Sequence, residues 1–135
     1  VLDRQWDAVA WNARAARLFV GWLDRRSADR NLLRYMFFAP EARRLVDDWP
    51  TRAARLVAEF RADNGDDLDQ PWAQEAVASL RRGSAEFDAL WRRQDVQERE
   101  GGERVFHHPT LGRVVHRQLT LRMANAPQMK LVMLV

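Results

Sequence analysis

His107 and His108 stand side by side, with His116 further along the same stretch. Histidine is the commonest metal ligand and general base, so metal or acid–base chemistry is first sought here. The stretch reads as a β-strand, and adjacent side chains of a strand point to opposite faces. The two rings therefore do not chelate one ion, and His116 adds one ligand at best. No carboxylate cluster has metal-ligand spacing. His108 precedes Pro109 and is biased toward extended backbone; a structural hydrogen bond at a strand end is its expected role. The pairs Asp47-Asp48 and Asp66-Asp67 adjoin turns or helix caps, where solvation accounts for them, and Asp95 reads the same way. There is no Gly-x-Ser-x-Gly elbow, no phosphate-cradling glycine loop and no His-Glu-x-x-His. Gly101-Gly102 reads as a short turn. With no Cys in the chain, a disulfide framework, an iron–sulfur cluster, a thiol nucleophile and thiolate zinc are all excluded. The expectation is no catalytic residue, no metal and no cofactor.

The chain has 135 residues, enough for one domain and too few for two. Hydrophobic residues make up 47% and charged residues 30%, an ordinary globular balance that argues against disorder. No apolar run approaches the roughly 18 residues of a membrane span, and no signal peptide opens the chain. A cytoplasmic protein is the simplest reading. Lys plus Arg number 22 against 19 Asp plus Glu, and Lys130 alone is lysine. Arginine usage of that kind fits GC-rich codons. The charges are also interspersed, whereas DNA-binding domains concentrate them on one face.

The elements run strands, helices, strands. Residues 1–3 and 6–11 look like a hairpin around Arg4-Gln5. Asn12 suits the N-cap of a helix over 13–23 with Ala15, Leu18, Phe19 and Trp22 as its stripe. Ser27 or Asp29 suits the cap of a second helix over 31–38, apolar nearly all round and so buried on most sides. Further helices begin at Pro40, Pro50 and Pro71, where proline fits a first turn. Asn64 to Asp67 is a stop and a loop. Gly83-Ser84 breaks and recaps before a helix bearing Phe87, Leu90 and Trp91.

From about Glu103 the period becomes two. Strands are expected over 104–108, 113–123 and 129–135. On the long middle strand Val115, Leu119, Leu121 and Met123 share one face, interrupted by Arg117. His116, Gln118, Thr120 and Arg122 share the other. Together with the N-terminal hairpin this predicts an α+β domain: about five antiparallel strands with about six short helices on one face.

Several segments, in order, resemble the ligand-binding domain of MmyB-like transcription regulators of the XRE/Cro-like helix-turn-helix group. They are Val1-Leu2-Asp3-Arg4 with Trp6-Asp7 and Ala10-Trp11-Asn12; Arg30-Asn31-Leu32-Leu33-Arg34 with Phe37; Asp48-Trp49; Ser84-Ala85-Glu86-Phe87 with Leu90-Trp91 and Asp95-Val96; and His108-Pro109 with Gly112. One departure is Gln94, where relatives often carry His. The resemblance implies a PAS-like fold over residues 1–135 and a cytoplasmic regulator whose DNA-binding domain precedes Val1. It also implies a core able to hold a fatty acid.

The residues themselves permit such a pocket. Six Trp and six Phe are many for this length. They serve either as packed core or as the walls of an apolar cavity. The cavity reading gathers Trp11, Phe19, Leu32, Met36, Phe37, Phe87, Trp91, Leu119 and Leu121, with Met36 and Met123 as adaptable fillers. Burying about ten methylenes is worth on the order of 8 kcal/mol gross. Ordering and association costs reduce this to a roughly micromolar affinity. A carboxylate head must meet water or a cation. Arg30, Arg34 and His108 are the candidates, with Asn12 as a further donor. Surface ion pairs for the arginines and N-capping for Asn12 are the competing readings. PAS-like domains also pair, so a homodimer is expected, with Trp22, Phe38 or strand 129–135 as its contact surface. A pure dimerisation module without a ligand is the alternative function.

Overall fold

The computed structural model describes residues 1–26, 29–94 and 102–135. The expectations for Ser27, Asp95, Val96 and Gly101 lie outside these residues. Within them, helix α1 (Ala13–Leu18) starts where Asn12 Oδ1 accepts the Ala15 N–H at 2.9 Å. It stops short of residue 23 because Gly21 takes φ +80° and lies against Glu41. A Cβ at Gly21 would sit 2.7 Å from Glu41 Cδ, so the chain turns there rather than continuing the helix.

Helix α2 (Leu32–Phe38) buries Leu33, Tyr35, Met36 and Phe37. Asn31 is its cap, not its first residue: Oδ1 accepts the Arg34 N–H. Asp29 acts one step earlier, accepting the Asn31 N–H at 2.9 Å. Helices α3 (Pro40–Leu45), α4 (Trp49–Asp63) and α5 (Pro71–Gly83) each carry proline in the first turn. Asp48 precedes α4 at φ +45° and makes no side-chain capping bond. Asn64 ends α4, and a 3-10 turn (Gly65–Asp67) follows. Ser84 Oγ caps α6 (Ala85–Arg93) by accepting the Phe87 N–H.

An aromatic lattice joins the helices. Phe37 meets Trp49 and Phe87 edge to face at 5.4 and 5.2 Å, and Trp91 stacks on Phe87 at 5.8 Å. Such pairs add to plain area burial. Phe19 meets Trp22 and Phe106, linking this core to a smaller cluster of Leu18, Leu45 and Phe106 against the sheet. No described helix is long and apolar enough to cross a membrane.

The sheet is an antiparallel meander, β1 (Gly102–His108), β2 (Gly112–Met123) and β3 (Ala126–Leu134), in the order β1-β2-β3. The class is α+β, but among the described residues the strands number three, not five. The N-terminal segment folds back as a tight turn with isolated bridges, not as two extended strands. Asp3 Oδ1 accepts the N–H groups of Gln5 and Asp7, and Trp6 adopts φ +68°. Isolated bridges remain: Leu2 pairs with Ala8 on one side and Lys130 on the other, and Asp7 pairs with Asn31. The two backbone bonds of Leu2 to Lys130 are both 2.9 Å.

Alternate strand residues face the helices. On β1 and β2 these are Arg104, Phe106, His108, Val114, His116, Gln118 and Thr120; on β3 they are Lys130, Val132 and Leu134. The sequence reading turned the Val115–Leu119–Leu121–Met123 set inward, and the structure reverses it: these residues are exposed. The inward polar groups find partners that a strand pattern does not reveal. Arg104 Nε donates to Gln118 Oε1, and Lys130 Nζ reaches Asp63 Oδ2 at 2.8 Å. Burial, reinforced by the nearby Arg52 charge, pushes the Arg104 guanidinium down to about 10.

Candidate ligand-binding site

A cleft of about 430 Å³ opens between the N-terminal turn, the start of α2 and one face of α5. Asn31 organises it. While its Oδ1 caps α2, its Nδ2 donates to Gln5 O at 2.7 Å and Asp7 Oδ1 at 2.9 Å. One side chain thus fixes the N-terminal turn to the helix. Arg34, one helical turn on, donates from Nε to Asp29 at 2.5 Å and from Nη1 to Ser79 Oγ at 2.9 Å, tying α2 to α5. Leu33, Phe60 and Leu80 form an apolar floor, each at most 3% exposed. Trp72 and Ala76 of α5 complete the apolar wall.

The rim is polar and mostly acidic: Gln5, Asp7, Asp29, Glu75 and Ser79, with Arg34 as its cation. Burial raises the Asp7 carboxyl above its usual range. The charges of Asp3 and Asp29 add to this, against the hydrogen bond from Asn31. The Trp72 indole N–H is buried with no acceptor among the described residues, and a buried unpaired donor costs stability. An apolar floor with a few convergent polar groups is the usual make-up of a small-molecule site, and the volume lies in the usual range. Asn31→Ala is expected to cost about 2 kcal/mol, through the lost cap and the two severed ties. Urea unfolding checks this, and an unchanged midpoint would show that Asn31 is not the anchor.

Of the predicted site residues, Arg34 lines this cleft. Met36, Phe37 and Phe87 gather instead in the aromatic core, with Trp91, Phe19 and Leu32 packed at its margin. Trp11 is not in the core: it is 41% exposed, with the Arg30 guanidinium 4.7 Å over its ring. Leu119 and Leu121 are on the solvent side of the sheet, because the opposite set turns inward, with Gln118 bonded to Arg104 and Thr120, and Arg122 to Asp63 of α4. Asn12 spends its oxygen on the α1 cap. Arg30 donates to Trp22 O and Arg25 O, fastening a turn. His108 Nδ1 accepts the N–H groups of Thr110 and Leu111 while Nε2 contacts Arg17 O at 2.8 Å. That is a neutral ring donating through Nε2, with both nitrogens occupied. His107 faces outward to Asp47, and among the described residues no three His, Asp or Glu gather as metal ligands.

Gln5, Asp7, Asp29, Asn31, Trp72, Glu75 and Ser79 are absent from the predicted pocket, although Asp7 and Asn31 belong to segments that carry the family resemblance. Over residues 1–135 the chain matches the family model of the MmyB-like transcription regulator ligand binding domain. No curated protein and no solved structure gives a significant match.

Proposed function

Because the chain belongs to the family of MmyB-like transcription regulator ligand-binding domains, we propose that it is the PAS-like sensory domain of a cytoplasmic XRE-type regulator. Its effector is a fatty acid or similar small molecule with an apolar body and a hydrogen-bonding head. The effector occupies the Asn31–Arg34 cleft and alters operator binding by a helix-turn-helix domain elsewhere in the regulator. It does so only through differential affinity for two arrangements of the protein.

The observation that carries this reading is the cleft itself, with its apolar floor, polar rim and buried Trp72 N–H lacking an acceptor. Arg34 is the group that would meet a carboxylate. Asp7, Asp29 and Glu75 oppose an anion, so a protonated acid, an alcohol or an amide suits the rim better than a bare carboxylate.

Native mass spectrometry of the purified domain, with organic extraction, tests for a bound molecule. Titration with decanoic acid and decanol then compares head groups. We expect stoichiometric binding that Ala76→Trp weakens about tenfold or more by filling the cleft wall, with the fold retained by circular dichroism. A clean unliganded mass that persists after incubation with acids from decanoic to octadecanoic, and with decanol, would overturn the reading. So would binding indifferent to Ala76→Trp.

A further inference from the structure

The outer face of the sheet is more apolar than a free surface needs. Val115, Leu119, Leu121 and Met123 alternate along β2 at 39–52% exposure, and Val135 beyond β3 is 63% exposed. The register sets Leu119 opposite Met133, Leu121 opposite Leu131 and Val115 opposite Val105. Directly opposed residues share a face, so the three strands merge into one apolar field. The inner face, by contrast, buries Arg104, His108, Gln118 and Lys130. The usual antiparallel pattern, apolar toward the core and polar toward water, is therefore inverted over much of this sheet.

We propose that this outer face pairs with the same face of a second copy of the chain about a two-fold axis. Area supports the pairing. The five exposed side chains, with half-buried Val105, Met129, Leu131 and Met133, present roughly 500 Å² per copy, at the upper end of the largest patch on a monomer. Two such faces bury about 1,000 Å² before any rim is counted, the threshold for a biological interface, and a rim carries the total toward the standard size.

Charge supports a like partner over other occupants. Within the field stand Glu103 and Arg117, directly opposed in register. Neither forms an ion pair among the described residues, and together they offer one charge of each sign to an identical face. A nucleic acid or an anionic membrane would require a basic surface, and here Arg117 stands opposite Glu103 in an otherwise apolar field. A two-fold interface uses the same patch on both copies. Sheets packed face to face interdigitate apolar side chains in this way. The inference is independent of what the cleft holds.

Sedimentation equilibrium of the 135-residue chain tests it, from about 1 to about 100 µM so that mass action is visible. The expected result is a dimer. Leu121→Arg, an exposed position, should raise the dissociation constant about 100-fold or more by facing two guanidinium groups across the axis. Its far-UV spectrum and melting temperature as a monomer should match those of a wild-type monomer population. Mixing Leu121→Arg with Leu121→Glu should restore a heterodimer. A wild-type chain that stays monomeric over that range, or a dimer unaffected by Leu121→Arg, would overturn the proposal.

Discussion

Phe87→Ala is expected to destabilise the domain by about 3–5 kcal/mol, the cost of removing a large aromatic from a packed core. Phe87 is fully buried, meets Phe37 edge to face at 5.2 Å and stacks against Trp91. Its own N–H is the one that caps α6 on Ser84. Truncation leaves a hole between three helices, and the aromatic neighbours cannot close it without leaving their rotamers. Domains of this size hold only about 5–15 kcal/mol in total, so the variant should be marginal. Its melting temperature should fall by at least about 10 °C. Leu111→Ala, at an exposed turn residue, is the matched control and should change stability by less than about 0.5 kcal/mol. A loss below about 1 kcal/mol at Phe87 would mean that the site relaxes freely, contradicting the packing described.

Asp63→Asn should rank with it, and its effect should depend on pH. Asp63 receives Lys130 Nζ at 2.8 Å, Arg122 at 2.7 Å and the Trp6 indole N–H at 3.0 Å. Lys130 is 4% exposed, its ammonium 3.9 Å over the Trp6 ring. Breaking a buried pair by removing one charge costs about 3–5 kcal/mol, because the other charge stays buried. Burial alone would raise the Asp63 carboxyl. The charge and hydrogen bond of Lys130, with those of Arg122, outweigh it and hold the group below its usual range.

A carboxyl lowered on folding stabilises above its unfolded value and loses that contribution as pH falls through its folded value. Wild type should therefore weaken below about pH 4. The Asn variant, with nothing to titrate there, should be weaker at neutral pH and should close on wild type under acid. Urea midpoints at neutral and acid pH decide this. Parallel curves for the two proteins would exclude Asp63 as the titrating group.

The helices were largely legible because their signals are local. Asn12, Ser84 and the prolines at 40, 50 and 71 mark starts within a turn of where they act. Gly21 was the missed stop, since the reason for it is a close approach to Glu41, a residue of another helix. The strands showed their period of two, but the period does not say which set faces inward. That choice rests on Asp63 accepting Lys130 and Arg122, and on Arg17 O accepting from His108. These partners are distant in sequence.

The cleft was hidden for the same reason. Its walls come from the N-terminal turn, α2 and α5, and no single segment carries a pocket signature. The family segments Trp6-Asp7 and Arg30 to Arg34 carried four of its residues, Asp7, Asn31, Leu33 and Arg34, and of these Arg34 alone was singled out as a site residue. The predicted hydrophobic pocket failed as one site because large side chains at helical spacing describe a filled core equally well.

The bridge between Leu2 and Lys130 sets a timetable for the chain. It joins residues near the two ends of the sequence, and its two backbone bonds can form only after β3 has left the ribosome. Until then the Trp6 indole N–H also lacks the Lys130–Asp63 frame it is built into. Elongation proceeds at about 5–20 residues per second, so helices α1 to α6 emerge seconds before the strand that completes the fold. Long-range contacts reward the chain only after the loop between them has closed. Closure of the fold therefore waits for β3: helices α1 to α6 are expected to stay short of their native packing until Lys130 pairs with Leu2.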